Sequence, residues 1–212
     1  MKKLNNETGR SMIEMLGVLA IIGVLSVGGI AGYSKAMMQY KINKTADQVS
    51  QVVTNVRTLF GSQKDYKALG YSGNAVNLIK KSHLAPDELW NSAGTDLENV
   101  FGGYFHITYG KKKTDADGKA FGVSLSSIPE EACMALATYD WGSGSSSGLI
   151  SLSVNDATVY GMTTTVGCTG SSSAGKAIAC PNGSTVTVPM PVNIAATACA
   201  SGDSNWISIK FY

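Results

Sequence analysis

Few residues in this sequence have the type and spacing that chemistry requires. The first is Glu14, the only charged side chain between Met12 and Gly32. A carboxylate in such an apolar run costs roughly 2.5 to 3.5 kcal/mol at a bilayer centre, less near an end, and is functional by default. Its chemistry is ionic: neutralisation by a cation, such as an amine of a neighbouring chain. Ser11-x-x-Glu14 also has the form of a capping box, a role that leaves the carboxylate free to meet that amine. The second group is the four cysteines Cys133, Cys168, Cys180 and Cys199, which allow three disulfide pairings. No C-x-x-C pair occurs, and neither His83 nor His106 lies at ligand spacing from a cysteine, so no metal is expected there.

Other constellations point away from catalysis. Asp115-x-Asp117-Gly118 echoes part of a calcium loop, but the position that needs a bidentate glutamate is Ser126, and the stretch reads as a turn. Lys111-Lys112-Lys113 before it reads as solvated. Gly142-Ser143-Gly144 lies in a low-complexity run without the strand-to-helix frame of a nucleophile elbow. His83 and His106 belong to no recognisable triad, and no phosphate loop or dinucleotide fingerprint occurs. The sequence therefore predicts no enzyme and no cofactor. With 17 basic and 15 acidic residues it offers no charge asymmetry for nucleic acid.

The elements that must carry Glu14 and the cysteines follow from periodicity. From Met12 to Gly32 the only other polar residue is Ser26, and about 20 apolar residues span roughly 30 Å of hydrocarbon as a helix. Lys2, Lys3 and Arg10 precede this segment, which places its start in the cytoplasm and the rest of the chain outside. Beyond it Ile42, Ala46, Val49, Val53, Val56 and Phe60 recur at three and four residues. No proline interrupts residues 11 to 60, so the spacing predicts one long helix, apolar all round in its first half and one-sided in its second. Gly61 and Gly70 mark its end. A short helix over 74–83 and a turn or helical piece at Pro86–Trp90 follow, with His83 and Trp90 read as partly buried packing residues.

Strands are predicted at 104–109 and 120–126 as a hairpin, and at 149–154, 158–162, 184–188 and 206–212. Ser127-Ile128-Pro129-Glu130 has the form of a capping box opening a helix over 130–139, which carries Cys133. The segment from Cys168 to Cys180, rich in Gly, Ser and Ala, reads as an exposed loop. A helix packed on an antiparallel sheet makes the fold class α+β.

Gly9 followed by Arg10, with Glu14 fifth after the glycine, resembles the processing site of type IV pilins and their pseudopilin relatives. The resemblance implies cleavage after Gly9 by a membrane prepilin peptidase, methylation of the new amino terminus, and pairing of Glu14 with the terminal amine of an adjacent subunit. Arg10 stands where the family usually carries an aromatic or large aliphatic residue, and Ala31 where many members carry a helix-loosening proline. Gly23 matches a helix-loosening glycine of the family, and Gly28, Gly29 and Gly32 supply further loosening, since glycine costs about 1 kcal/mol relative to alanine in a helix.

The type IVb group in particular implies a disulfide-framed carboxy-terminal region, with Cys133 joined to Cys199 and Cys168 to Cys180. The domains expected are a leader at 1–9, a transmembrane and filament-core segment at 10–32, an amphipathic half-helix at 33–61 and a head at 62–212. Within the head, residues 133–199 form the disulfide region, and residues after Phe60 correspond to the loop that family members use for contacts between subunits. Loss of residues 1–9 would leave 15 basic and 14 acidic residues. The function implied is the structural subunit of an extracellular pilus, held in the bacterial inner membrane before assembly into a homopolymer. Its partners are the peptidase, the assembly machinery and a surface or host receptor. The alternatives are a minor pilin, a pseudopilin of a type II secretion system, or an anchored binding module that does not polymerise.

Overall fold

The computed structural model describes residues 8–70, 74–110, 118–142, 147–156, 171–181 and 185–212. It comprises two compact units, Met1–Tyr40 and Lys41–Tyr212, and their boundary falls within the first helix. That helix, α1, spans Thr8–Phe60. It starts three residues before Ser11, so Ser11 does not occupy the N-cap position.

Within the second unit, α1 buries the stripe that its spacing predicts. Ile42, Ala46, Val49, Val53, Val56 and Phe60 are all buried, joined by Val52, which the periodicity reading passed over. Each large side chain removed from water contributes roughly 1.5 to 3 kcal/mol. The stripe also takes in two polar residues. Thr45 Oγ1 donates to the Lys41 carbonyl at 2.8 Å, and Gln48 Nε2 donates to Glu88 Oε1 at 2.6 Å.

The sheet beneath consists of β1 (Phe105–Gly110), β2 (Ala120–Ile128), β3 (Leu149–Val154), β4 (Ser171–Ser173), β5 (Lys176–Ala179) and β6 (Asn205–Phe211). Among the described residues it has six strands in the order β1-β2-β6-β3-β5-β4, each neighbouring pair antiparallel. The carboxy-terminal strand β6 thus fills the centre of the sheet. Register puts Phe105, Ile107, Phe121, Val123, Leu125, Ile207, Ile209, Leu152 and Val154 on one face. An aromatic chain links this face to the end of α1: Phe60 to Tyr66 at 5.4 Å, Tyr66 to Phe121 at 4.9 Å and Phe121 to Phe211 at 5.7 Å. The opposite face is polar and small, and Ser124 and Ser208 share a 2.8 Å hydroxyl bond across it.

Among the described residues the second unit also holds three short helices, α2 (Val76–Ser82), α3 (Glu130–Ala137) and α4 (Val192–Ala198). Asp87–Leu89 forms a single 3₁₀ turn, as the Pro86–Trp90 reading allows. The capping box expected at Ser127 is absent. Strand β2 runs on to Ile128 through a bulge, Ser127 adopts φ 56°, and Pro129 is the N-cap of α3 without a side-chain cap bond.

Two further expectations are corrected. Residues 176–179, read as exposed loop, form β5, with Ala177, Ile178, Ala179 and Cys180 buried, because Lys-Ala-Ile-Ala is apolar enough to pair with β3. No strand forms at 185–188; only Thr187 pairs, in a parallel bridge with Cys180, and Pro189 follows directly on Val188. The expected strand at 158–162, the lysine run at 111–113, Asp115, Asp117 and Cys168 lie outside the described residues.

Candidate functional site

The first unit presents apolar surface rather than burying it. Ile13 is 74% exposed and Val24 is 76% exposed, and Leu16, Leu19, Ile22, Leu25 and Ile30 are exposed in the same way. The segment is long and apolar enough to cross a membrane, and none of its most apolar stretch is buried within the chain. Glu14 lies on this exposed helix, four residues along from Arg10. A Cβ added at Gly17, Gly23, Gly28, Gly29 or Gly32 would meet nothing within 4 Å, so packing inside the chain gives no reason for glycine there. The backbone stays helical through all five. Each leaves backbone without a covering side chain.

The second unit holds the disulfide region. Cys133 sits on α3 and Cys199 caps α4, and the two are bonded with S–S 1.98 Å, Cα–Cα 5.9 Å and a sequence separation of 66. Cys180 is disulfide-bonded as well. Beside the first bridge lies a group that periodicity does not reveal. Asn205, 1% exposed, donates through Nδ2 to the carbonyls of Ile128 at 3.0 Å and Ala200 at 2.9 Å. Its Oδ1 accepts from the Ala200 N–H at 2.7 Å and from Asn155 Nδ2 at 2.8 Å. Asn155 in turn donates to the Ala198 carbonyl at 2.8 Å and accepts from the Trp206 N–H at 2.7 Å. Backbone on both sides of Cys199 is therefore pinned to the ends of β2, β3 and β6.

Asparagine does similar work at the edge of the sheet. Asn74 Nδ2 donates to the Phe105 carbonyl at 2.9 Å and its Oδ1 accepts from the Ile107 N–H at 2.7 Å, so the side chain pairs with β1 as a strand would. Asn74 stands just before α2, where the sequence suggests helix and gives no sign of this role. His83, expected to be partly buried, is exposed and is the left-handed C-cap of α2 at φ 49°. Trp90 is half-buried with the Lys80 ammonium 5.6 Å from its ring centre.

The electrostatics of the second unit fasten α1 in place. Hydrogen bonds from Lys44 and Gln48 hold the Glu88 carboxyl below its usual range, and Lys44 Nζ lies 2.9 Å from Glu88 Oε2. Burial pushes the Arg57 guanidinium down. Its Nε donates to the Tyr212 carbonyl at 3.3 Å and the group lies 5.2 Å from the Phe211 ring centre. Arg57 borders a cleft of about 270 Å³ with Val49, Val53, Tyr139, Trp141 and Phe211. Burial also lowers His106, whose ring stacks on Tyr104 at 5.2 Å.

A family model described as Bundlin matches residues 35–211. The chain belongs to the bundlin family. The bundlin match and the type IV pilin resemblance, which was carried by residues 9 to 32, rest on stretches that do not overlap. Among curated proteins, the toxin coregulated pilin of Vibrio cholerae serotype O1 is 22% identical over 136 residues, or 64% of this chain and 59% of that protein. The alignment therefore spans less than two thirds of that relative. Among solved structures, TcpA, a type IV pilin from Vibrio cholerae El Tor biotype, matches with a TM-score of 0.56 and 14% identity over 82% of this chain and 99% of that one. A type IVb pilin from Salmonella typhi matches with a TM-score of 0.47 and 14% identity over 77% and 97%. The fold of this chain matches that of a type IV pilin, with a long amino-terminal helix, an antiparallel sheet and a carboxy-terminal disulfide.

Proposed function

We propose that this chain is the structural subunit of an extracellular type IV pilus and not an enzyme. It is made as an inner-membrane precursor, cleaved after Gly9 by a prepilin peptidase, methylated on Arg10 and polymerised through α1. The observation that carries this reading is the exposed apolar surface of residues 12–32, with one carboxylate and five bare glycine flanks, in a chain of the bundlin family. A helix apolar on every side must be covered by lipid or by others like itself, with burial of about 25 cal/mol per Å² as the drive. Membrane before assembly and filament afterwards are the two environments that cover it. Glu14 supplies register, because an unneutralised carboxylate inside a helix bundle is costly and one amine at a fixed position relieves it.

Glu14→Ala is expected to give a membrane-inserted, cleaved subunit that does not build filaments. Filaments of normal number and length from this variant, scored by electron microscopy, would remove Glu14 from assembly. Mass spectrometry of the native protein tests the processing: an amino terminus at methylated Arg10 supports it, and an intact Met1 or a cut beyond Ala31 replaces it with an anchor or a signal peptide. The head, including the Cys133–Cys199 region, would form the filament surface and meet any receptor.

A further inference from the structure

The cleft that Arg57 borders, about 270 Å³, has no part in the roles described above. It lies within the second unit, between α1, β6 and the segment that follows α3. Arg57 donates from Nε to the Tyr212 carbonyl and from Nη2 to the Ser147 carbonyl. A guanidinium has five N–H groups, so three remain. Among the described residues no carboxylate forms an ion pair with Arg57, although Asp140 lines the same cleft. The guanidinium is nevertheless held in place. It lies over the Phe211 ring, and a Cβ at Gly148 would come within 2.8 Å of Nη2. Glycine at 148, with φ +70°, leaves room for the fork.

The rest of the lining is of two kinds. Tyr139 and Trp141 form an aromatic wall with ring centres 4.7 Å apart. Tyr139 is 43% exposed, and the Trp141 indole N–H is given to the Leu136 carbonyl at 2.9 Å. The polar side chains beside them are acceptors. Thr54 donates its hydroxyl proton to the Ser50 carbonyl at 2.9 Å, which leaves Oγ1 to accept, and the Asp140 carboxylate carries lone pairs only. A ligand that satisfies this lining brings a negative charge for Arg57, hydroxyl protons for Thr54 and Asp140, and an apolar face for Tyr139. A carboxylate on a peptide side chain offers the first without the second. A pyranose with a carboxylate offers all three: C–H groups on its face, hydroxyls at its rim and an anion at one carbon. The volume, just below the roughly 300 to 1,000 Å³ of drug-sized ligand sites, suits a single sugar ring.

We propose that this cleft binds an acidic sugar, a carboxylated pyranose of the uronic or sialic acid kind, with its carboxylate on Arg57, its ring against Tyr139 and its hydroxyls on Thr54 and Asp140. The charge-assisted contact to a planar, pre-positioned guanidinium fixes the orientation of the ring and selects against neutral sugars. The cleft lies within one head, so binding does not require filament assembly.

The test is an NMR titration of the full ¹⁵N-labelled chain in detergent micelles, following the Trp141 indole and Arg57 Nε–H signals. The probes are methyl β-D-glucuronide, N-acetylneuraminic acid, methyl β-D-glucoside and acetate. At least one of the two sugar acids is expected to shift both signals saturably, binding about tenfold or more tighter than the glucoside or acetate. Arg57→Met should weaken that binding about tenfold or more, and Tyr139→Ala, which removes an exposed ring, about fivefold. No saturable shift with either sugar acid up to on the order of 10 mM would overturn the proposal. So would a glucoside that binds as tightly as the acids, or acetate doing so, which would mark a site for any carboxylate, a peptide's included. Should Arg57→Met fail to fold, Tyr139→Ala decides instead: an affinity equal to the native chain's places the sugar elsewhere and refutes the site.

Discussion

Asn205 decides more of the head than its residue type announces. It is buried, and all four of its side-chain hydrogen bonds run to groups flanking Cys199, α3 or β3. Truncation to alanine would leave the Ile128 and Ala200 carbonyls and the Ala200 N–H without partners, and an orphaned buried polar group costs roughly 1 to 3 kcal/mol. Asn205→Ala is expected to lower stability by about 3 kcal/mol in urea denaturation. A loss under about 0.5 kcal/mol, the scale of an ordinary surface substitution, would show that water replaces the network. Residues of this kind are poorly legible in sequence. Hydrophobic spacing marks Ile42, Val49 and Val56 as core, because apolar residues have one favourable fate. Asn74, Asn155 and Asn205 carry no such signal, because most of their partners are backbone groups brought close by the finished fold.

Elements divide in the same way. The long helix, the hairpin and the strand at 149–154 were legible because each carries its own period. Helix α4 was not. Its seven residues, Val-Asn-Ile-Ala-Ala-Thr-Ala, are too few to display a period, and the one local signal is Pro191 at the N-cap. So short a helix is marginal alone. Its partners hold it, chiefly through the Cys133–Cys199 bridge to α3 and the Asn155 bond to the Ala198 carbonyl. The bridge closes a loop with sequence separation 66, for which chain entropy gives about 4 kcal/mol. The double variant Cys133→Ser, Cys199→Ser should therefore lose about 4 kcal/mol, measured by thermal or urea unfolding. It should also lose hydrogen-exchange protection first at α4. Uniform loss of protection across the sheet would mean that the bridge supports the whole head rather than this helix.

At the scale of the molecule, two stretches obey different physical demands. Residues 41–212 bury their own apolar residues on the sheet, from Val49 and Val52 on α1 to Ile207 and Ile209 on β6. Residues 12–32 bury none of theirs, so that surface contributes nothing to the stability of a single chain. A chain beginning at Lys35, where the bundlin match also begins, should therefore fold without detergent. Its melting temperature should lie within a few degrees of the full chain's head in micelles, about the shift produced by 1 kcal/mol. Its sedimentation should be monomeric, because removing the apolar helix removes the drive to associate. Aggregation or loss of the melting transition in the shortened chain would place part of the head's stability in the first unit. The apolar surface of residues 12–32 would then belong to the fold and would no longer be free for lipid or neighbouring subunits.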